Sequence, residues 1–115
     1  MARRDTRIAL GEMVDTIDEI AKALDATSFE AFSGNWVLRH AVQRGIEIIS
    51  EAARHLPEEL SGSEPDIPWK QIRDVGNVLR HEYHRISDRI IWNVIQNELP
   101  SLREAILRIA QRDIS

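Results

Sequence analysis

A helical rhythm is the strongest constraint on this chain. Between about Asp5 and Asp25, the residues Leu10, Met13, Val14, Ile17, Ile20, Ala21 and Leu24 recur at the spacing that lines one side of an α-helix. The same pattern returns after a short connector or helical turn, 26–34, that carries Phe29 and Phe32. Ser33 and Asn35 are candidate caps for a second long helix reaching about His55, with Leu38, Ala41, Val42, Ile48, Ile49, Ala52 and Ala53 inward. Gly45 and the alanines of that stretch invite the close approach of another helix. Pro57 and the run Ser61-Gly62-Ser63-Glu64-Pro65-Asp66 mark a loop. Ile67-Pro68-Trp69 opens a third helix, with Pro68 tolerated in a first turn and Ile72, Val75, Gly76 and Leu79 as its apolar side. A fourth starts after Ser87 or Asp88 and uses Ile90, Ile91, Val94 and Ile95; Pro100 is expected to kink or split it before Leu102, Ile106 and Ile109 resume the stripe.

Only 5 glycines and 4 prolines interrupt the chain, and alternating β-branched segments are missing. These features predict an all-α fold, an antiparallel bundle of four to five helices with short connections, formed by residues 1–115 as a single domain. A core of this size is shallow, so part of the apolar surface is expected to be covered by a second subunit. With no cysteine, disulfides, thiolate zinc sites and cysteine nucleophiles are excluded. No apolar run approaches membrane-spanning length and no signal core follows the charged N-terminus, which points to the cytoplasm.

The net charge is −4, so bulk electrostatics do not attract polyanions, but its distribution is uneven. Residues 1–66 carry net −6 and residues 67–115 net +2. On a projection of the third helix with Ile72 at zero, Arg73, Asn77, Arg80, His81 and His84 fall together, between about 80° and 180°. Two guanidinium groups, an amide and two imidazoles share this polar face. His81 and Tyr83 would point about 160° apart on a continuing helix. They share a side only if the helix ends near His81 and the chain straightens. His40 and His55 have no ligand partners at a recognisable spacing, so no metal site is expected, and both read as helix-surface histidines.

The stretches Arg44-Gly45-Ile46-Glu47-Ile48-Ile49-Ser50-Glu51-Ala52-Ala53, Leu56-Pro57, Ile67-Pro68-Trp69-Lys70-Gln71-Ile72 and Asn77-Val78-Leu79-Arg80-His81-Glu82-Tyr83 appear in an order that resembles the HepT-like family of HEPN-domain proteins. Ile91-Trp92 and Glu98-Leu99-Pro100-Ser101-Leu102 fit the same pattern. The resemblance implies an all-α symmetric homodimer acting as a metal-independent, cofactor-free endoribonuclease toxin. Its implied partner is a minimal nucleotidyltransferase antitoxin that attaches AMP to a tyrosine, here Tyr83. The family signature, an arginine followed at short interval by His-x-Tyr, is matched in its second half by His81 and Tyr83. Asn77 matches the polar residue that commonly follows the arginine. Gly76 stands where that arginine usually sits. Either Arg73 or Arg80 supplies the guanidinium, or the chain is a catalytically silent module that binds nucleotide, RNA or its partner.

The implied chemistry suits these residues. RNA carries its own nucleophile, the 2′-hydroxyl, beside each phosphodiester. The His81 imidazole can exchange the proton, and Arg73, Arg80 and Asn77 can hold the phosphate oxygens. Arg73, Arg80 and His84 are the candidate RNA contacts, and a symmetric dimer would gather two such faces at one cleft.

Overall fold

The computed structural model describes residues 2–82 and 86–114. Helix α1 (Ala2–Ala23) buries Leu10, Met13, Ile17, Ile20 and Leu24, as the spacing predicts. It ends without a glycine. Ala26 takes the left-handed conformation, φ 58°, and Thr27 N–H donates to the Leu24 carbonyl, which turns the chain back. The connector is itself helical at α2 (Phe29–Ser33), capped by the Ser28 hydroxyl, which accepts from Ala31 N–H.

Helix α3 (Trp36–Arg54) is the centre of the bundle. Asn35 caps it by accepting from Leu38 N–H at 3.0 Å. Ser33, the other candidate, instead donates to Asp88 at 2.8 Å and ties α2 to the later helices. Val42, Ile46, Ile49, Ala52 and Ala53 are buried. Ala21 and Ala41 were expected inward but are exposed, because each sits at the open margin of a groove beside its helix. At Gly45 the expectation of close approach holds. A methyl group there would lie 2.8 Å from Ile20 Cδ1 and 3.4 Å from Thr16 Cγ2 of α1.

The predicted loop contains a single helical turn, α4 (Glu58–Ser61), which starts directly after Pro57. The segment that follows is clamped rather than free. Glu64, buried, receives Arg108 (2.7 Å) and Arg112 (2.8 Å), while its carbonyl accepts from the Trp69 indole N–H. Arg112 also donates to Ser63 Oγ at 2.6 Å. This knot fixes the entry to α5 (Trp69–Glu82), the third long helix.

Ser87 caps α6 (Asp88–Asn93) by accepting from Ile90 N–H. The helix is neither stopped nor split by Pro100. It runs through a π-helical turn, Val94–Glu98, into α7 (Leu99–Ile114). A proline removes its own N–H and crowds the carbonyl four residues earlier, here Gln96. Gln96 lies inside the widened turn, so the irregularity sits where Pro100 demands it. Leu102, Ile106 and Ile109 then bury as expected.

Helices α1 and α5 pack on α3, and α7 packs on α1. Arg103 of α7 donates to Asp18 of α1 at 2.7 Å and holds that carboxyl below its ordinary range. On the flank of α5 away from its polar face, a cavity of about 230 Å³ separates Ile72 and Val75 from Val94, Leu99 and Leu102.

The Arg108 hydrogen bond, then that of Arg112, lowers the Glu64 pKa to about 2 against the opposing cost of burial. A depressed carboxyl pKa stabilises the folded state above the ordinary value near 4.5, and that contribution disappears as pH falls toward 2. Glu64→Gln is therefore expected to cost about 1–2 kcal/mol at pH 7, with the partly exposed arginines keeping the figure modest. Thermal melts from pH 7 to pH 2 should show wild type and variant converging in acid.

Candidate active site

The outcome at α5 is set by its contact with α3. Ser50, fully buried on α3, donates to the Arg73 carbonyl at 2.9 Å and accepts from Gly76 N–H at 3.1 Å. Arg54 adds two donors to the same Arg73 carbonyl, at 3.1 and 2.8 Å. The two helices are thus joined by side chain to backbone. This is possible because residue 76 has no side chain. A Cβ there would lie 2.6 Å from Ser50 Oγ and 2.8 Å from Ser50 Cβ. Residue 76 therefore points into a helix–helix contact with no room for a methyl group.

These contacts run antiparallel: Arg54 stands opposite Arg73, Ser50 opposite Gly76, and Arg44 and Glu47 beside Arg80. With one side of α5 fixed against α3, the other side carries the polar face. Arg73, Asn77 and His81 follow one another at four-residue intervals, a single ridge on the helix surface. Arg73 is half-buried; Asn77 and His81 are exposed. His81 lies in the last turn of α5 and is open to solvent.

Arg80 is oriented differently. Its exposed side chain lines a polar hollow with Glu12 of α1 and Arg44, Glu47, Ile48 and Glu51 of α3. Among the described residues, its guanidinium makes no hydrogen bond or ion pair. Arg73 lies near Asp74, whose carboxyl is held below its ordinary range chiefly by the Lys70 hydrogen bond, with Arg54 and Arg73 adding weaker attraction. Tyr83 and His84 lie outside the described residues. Among the described residues, no three His, Asp or Glu side chains converge in a way that could hold a metal ion.

His40 and His55 are engaged elsewhere. His55 follows the last turn of α3, 3.9 Å from Glu51. The His40 ring packs on Trp36 with centroids 4.0 Å apart, and its Nδ1 is 2.7 Å from the Trp36 carbonyl. Sequence reasoning passed over Trp36. Its signal was a large aromatic side chain in the first turn of a helix, ahead of the inward-facing stripe.

A family model described as HepT-like ribonuclease matches residues 13–109. The chain belongs to this family. It is 34% identical over 104 residues to "Putative RNase TTE0752" of Caldanaerobacter subterraneus, covering 90% of this chain and 93% of that one. It is 29% identical over 94 residues to "Probable ribonuclease HepT" of Thermococcus cleftensis, covering 82% of this chain and 83% of the relative. No solved structure matches the chain.

The packing at residue 76 reverses the usual effect of replacing glycine in a helix. At an open helical position Gly→Ala gains about 1 kcal/mol. Here Gly76→Ala is expected to destabilise by about 1–3 kcal/mol through overpacking. The added change Ser50→Gly should restore part of the loss, measured by chemical denaturation of the two variants and wild type.

Proposed function

We propose that this chain is an endoribonuclease toxin that cleaves RNA without a metal ion and works as a symmetric homodimer. Its antitoxin is a nucleotidyltransferase that silences it by adding AMP to Tyr83. The observation that supports this reading is the exposed His81, at the end of the Arg73–Asn77 ridge, in a chain of a ribonuclease family.

His81 takes the proton of the 2′-hydroxyl or gives one to the departing 5′-oxygen, and in a dimer the second copy's imidazole supplies the complementary role. Axial spacing divides the remaining work. Arg80 is one residue from His81 and can swing from the α1–α3 hollow toward the reacting phosphate. Asn77 is one turn below, about 6 Å along the axis, and Arg73 about 12 Å below. Those distances suit a neighbouring phosphate rather than the reacting one. On this division Arg80 meets charge that builds in the transition state, and Arg73 holds the strand.

Gly76 favours a second reading, a catalytically silent module that binds RNA, nucleotide or its partner, since no guanidinium fits at that position. Cleavage of RNA in chelator at fixed salt separates the two. His81→Ala should abolish cleavage. Arg80→Ala should lower kcat by about 10²–10³, the loss expected for one transition-state donor, whereas Arg73→Ala should act mainly on KM. An inactive wild type would establish the silent module.

AMP on Tyr83 places a phosphodiester anion beside His81 in sequence, where it would repel and block an RNA backbone. Tyr83→Phe is expected to cleave within about twofold of wild type and to take up no label from radioactive ATP and the antitoxin. Labelling of that variant would place the modification elsewhere.

A further inference from the structure

The start of α3 carries an exposed aromatic surface that the ribonuclease site does not use. Trp36 is 64% exposed, although it is one of the largest side chains in the molecule. One face of its indole is covered by the His40 imidazole, tilted by 32°, and His40 is anchored on the Trp36 carbonyl. Trp36 and His40, four residues apart, are neighbours on one side of the helix. A ring backed on one side and open on the other is already oriented to receive a second flat group.

Its location is informative. The Ser50–Gly76 and Arg54–Arg73 contacts set the antiparallel register of α3 and α5. In that register Arg44 stands near the level of His81, so His40 lies about 6 Å and Trp36 about 12 Å beyond it. Trp36, His40, Glu47 and Arg54 fall on the same side of α3, the side against which α5 packs. The indole therefore sits past the His81 end of α5, on the side that α5 occupies lower down.

The electrostatics of this end suit a polyanion. Although the chain carries net −4, residues 31–46 include Arg39, Arg44 and His40 and no aspartate or glutamate; Arg44 pairs with Glu47 at 3.3 Å, so Arg39 and His40 are the basic side chains nearest the indole in sequence. The first turn of α3 has no acidic residue to oppose the positive end of its dipole.

We propose that Trp36, braced by His40, is a stacking platform for an unpaired base of the RNA strand whose scissile phosphodiester lies at His81. This inference rests on the ribonuclease reading and refines it. The substrate is single-stranded at the platform, because a base inside a duplex has no free face to offer. Stacking is tolerant of base identity, so the platform selects for strandedness more than for sequence.

The test uses the full-length protein and a short single-stranded oligoribonucleotide, alongside the same strand paired to its complement and a series with one abasic position. Trp36→Ala should raise KM for the single strand about tenfold, the change expected for losing one base–aromatic stack, with kcat within about twofold. Trp36→Phe should recover most of the loss. One abasic position should reproduce the defect in wild type and add nothing in Trp36→Ala. Unchanged KM in Trp36→Ala, or a penalty that no abasic position mimics, overturns the platform. So does a fall in molecular mass on sedimentation of Trp36→Ala, which would assign the ring to a contact between copies. Binding to His81→Ala, read by quenching of tryptophan fluorescence, separates this proposal from the catalytic one. Trp69 is only 7% exposed and Trp92 is half-buried against Phe29 and Phe32, so the part of the quenching that belongs to Trp36 is the part lost in His81→Ala/Trp36→Phe. If wild type does not cleave but this quenching persists, the platform stands and the nuclease falls; no quenching by the single strand overturns the platform.

Discussion

The closeness with which α3 is approached from two sides governs the rest of the molecule. Toward α1, Gly45 accepts Ile20 and Thr16 almost onto the backbone. Toward α5, Ser50 reaches the backbone of its neighbour and satisfies both its donor and its acceptor there. A buried hydroxyl left unpaired is costly, so this pairing sets the position of α5 along α3 as well as its distance. A slide by one residue would remove both partners. The polar ridge on α5 inherits its rotation from this contact.

The knot at Glu64 complements it. Two arginines of α7 hold the segment that leads into α5, and the Trp69 indole bonds the Glu64 carbonyl. Helix α5 is therefore fixed at its entry and through its middle, on one side. Its far end, with Arg80 and His81, is exposed. A rigid base with an exposed end leaves Arg80 and His81 reachable from solvent on a helix whose position is set elsewhere.

Much of this was legible in the sequence because it depends on local patterns. The stripes of α1, α3 and α7, the caps at Asn35 and Ser87, and the tight passage at Gly45 follow from periodicity, short polar side chains and a missing Cβ. The π-turn was less accessible, since Pro100 announces a disturbance without saying how it is absorbed. Ile91, Ile95 and Leu99 are spaced by four and four, wider than an α-helical stripe prefers, and that spacing was its trace. Ser50, Glu64 and Trp36 owe their roles to partners far along the chain or to the antiparallel register. The projection of α5 grouped Arg80 with His81, but it could not show the hollow that α1 and α3 build beside that arginine.

The contact at residue 76 also bears on how such a chain can change over generations. An arginine at residue 76 would drive a long cation into Ser50, and a smaller residue at 50 would give up the hydroxyl that joins α3 to α5. The two positions are coupled: a side chain at 76 and the hydroxyl at 50 compete for the same space, so exchange at either residue is constrained by the other.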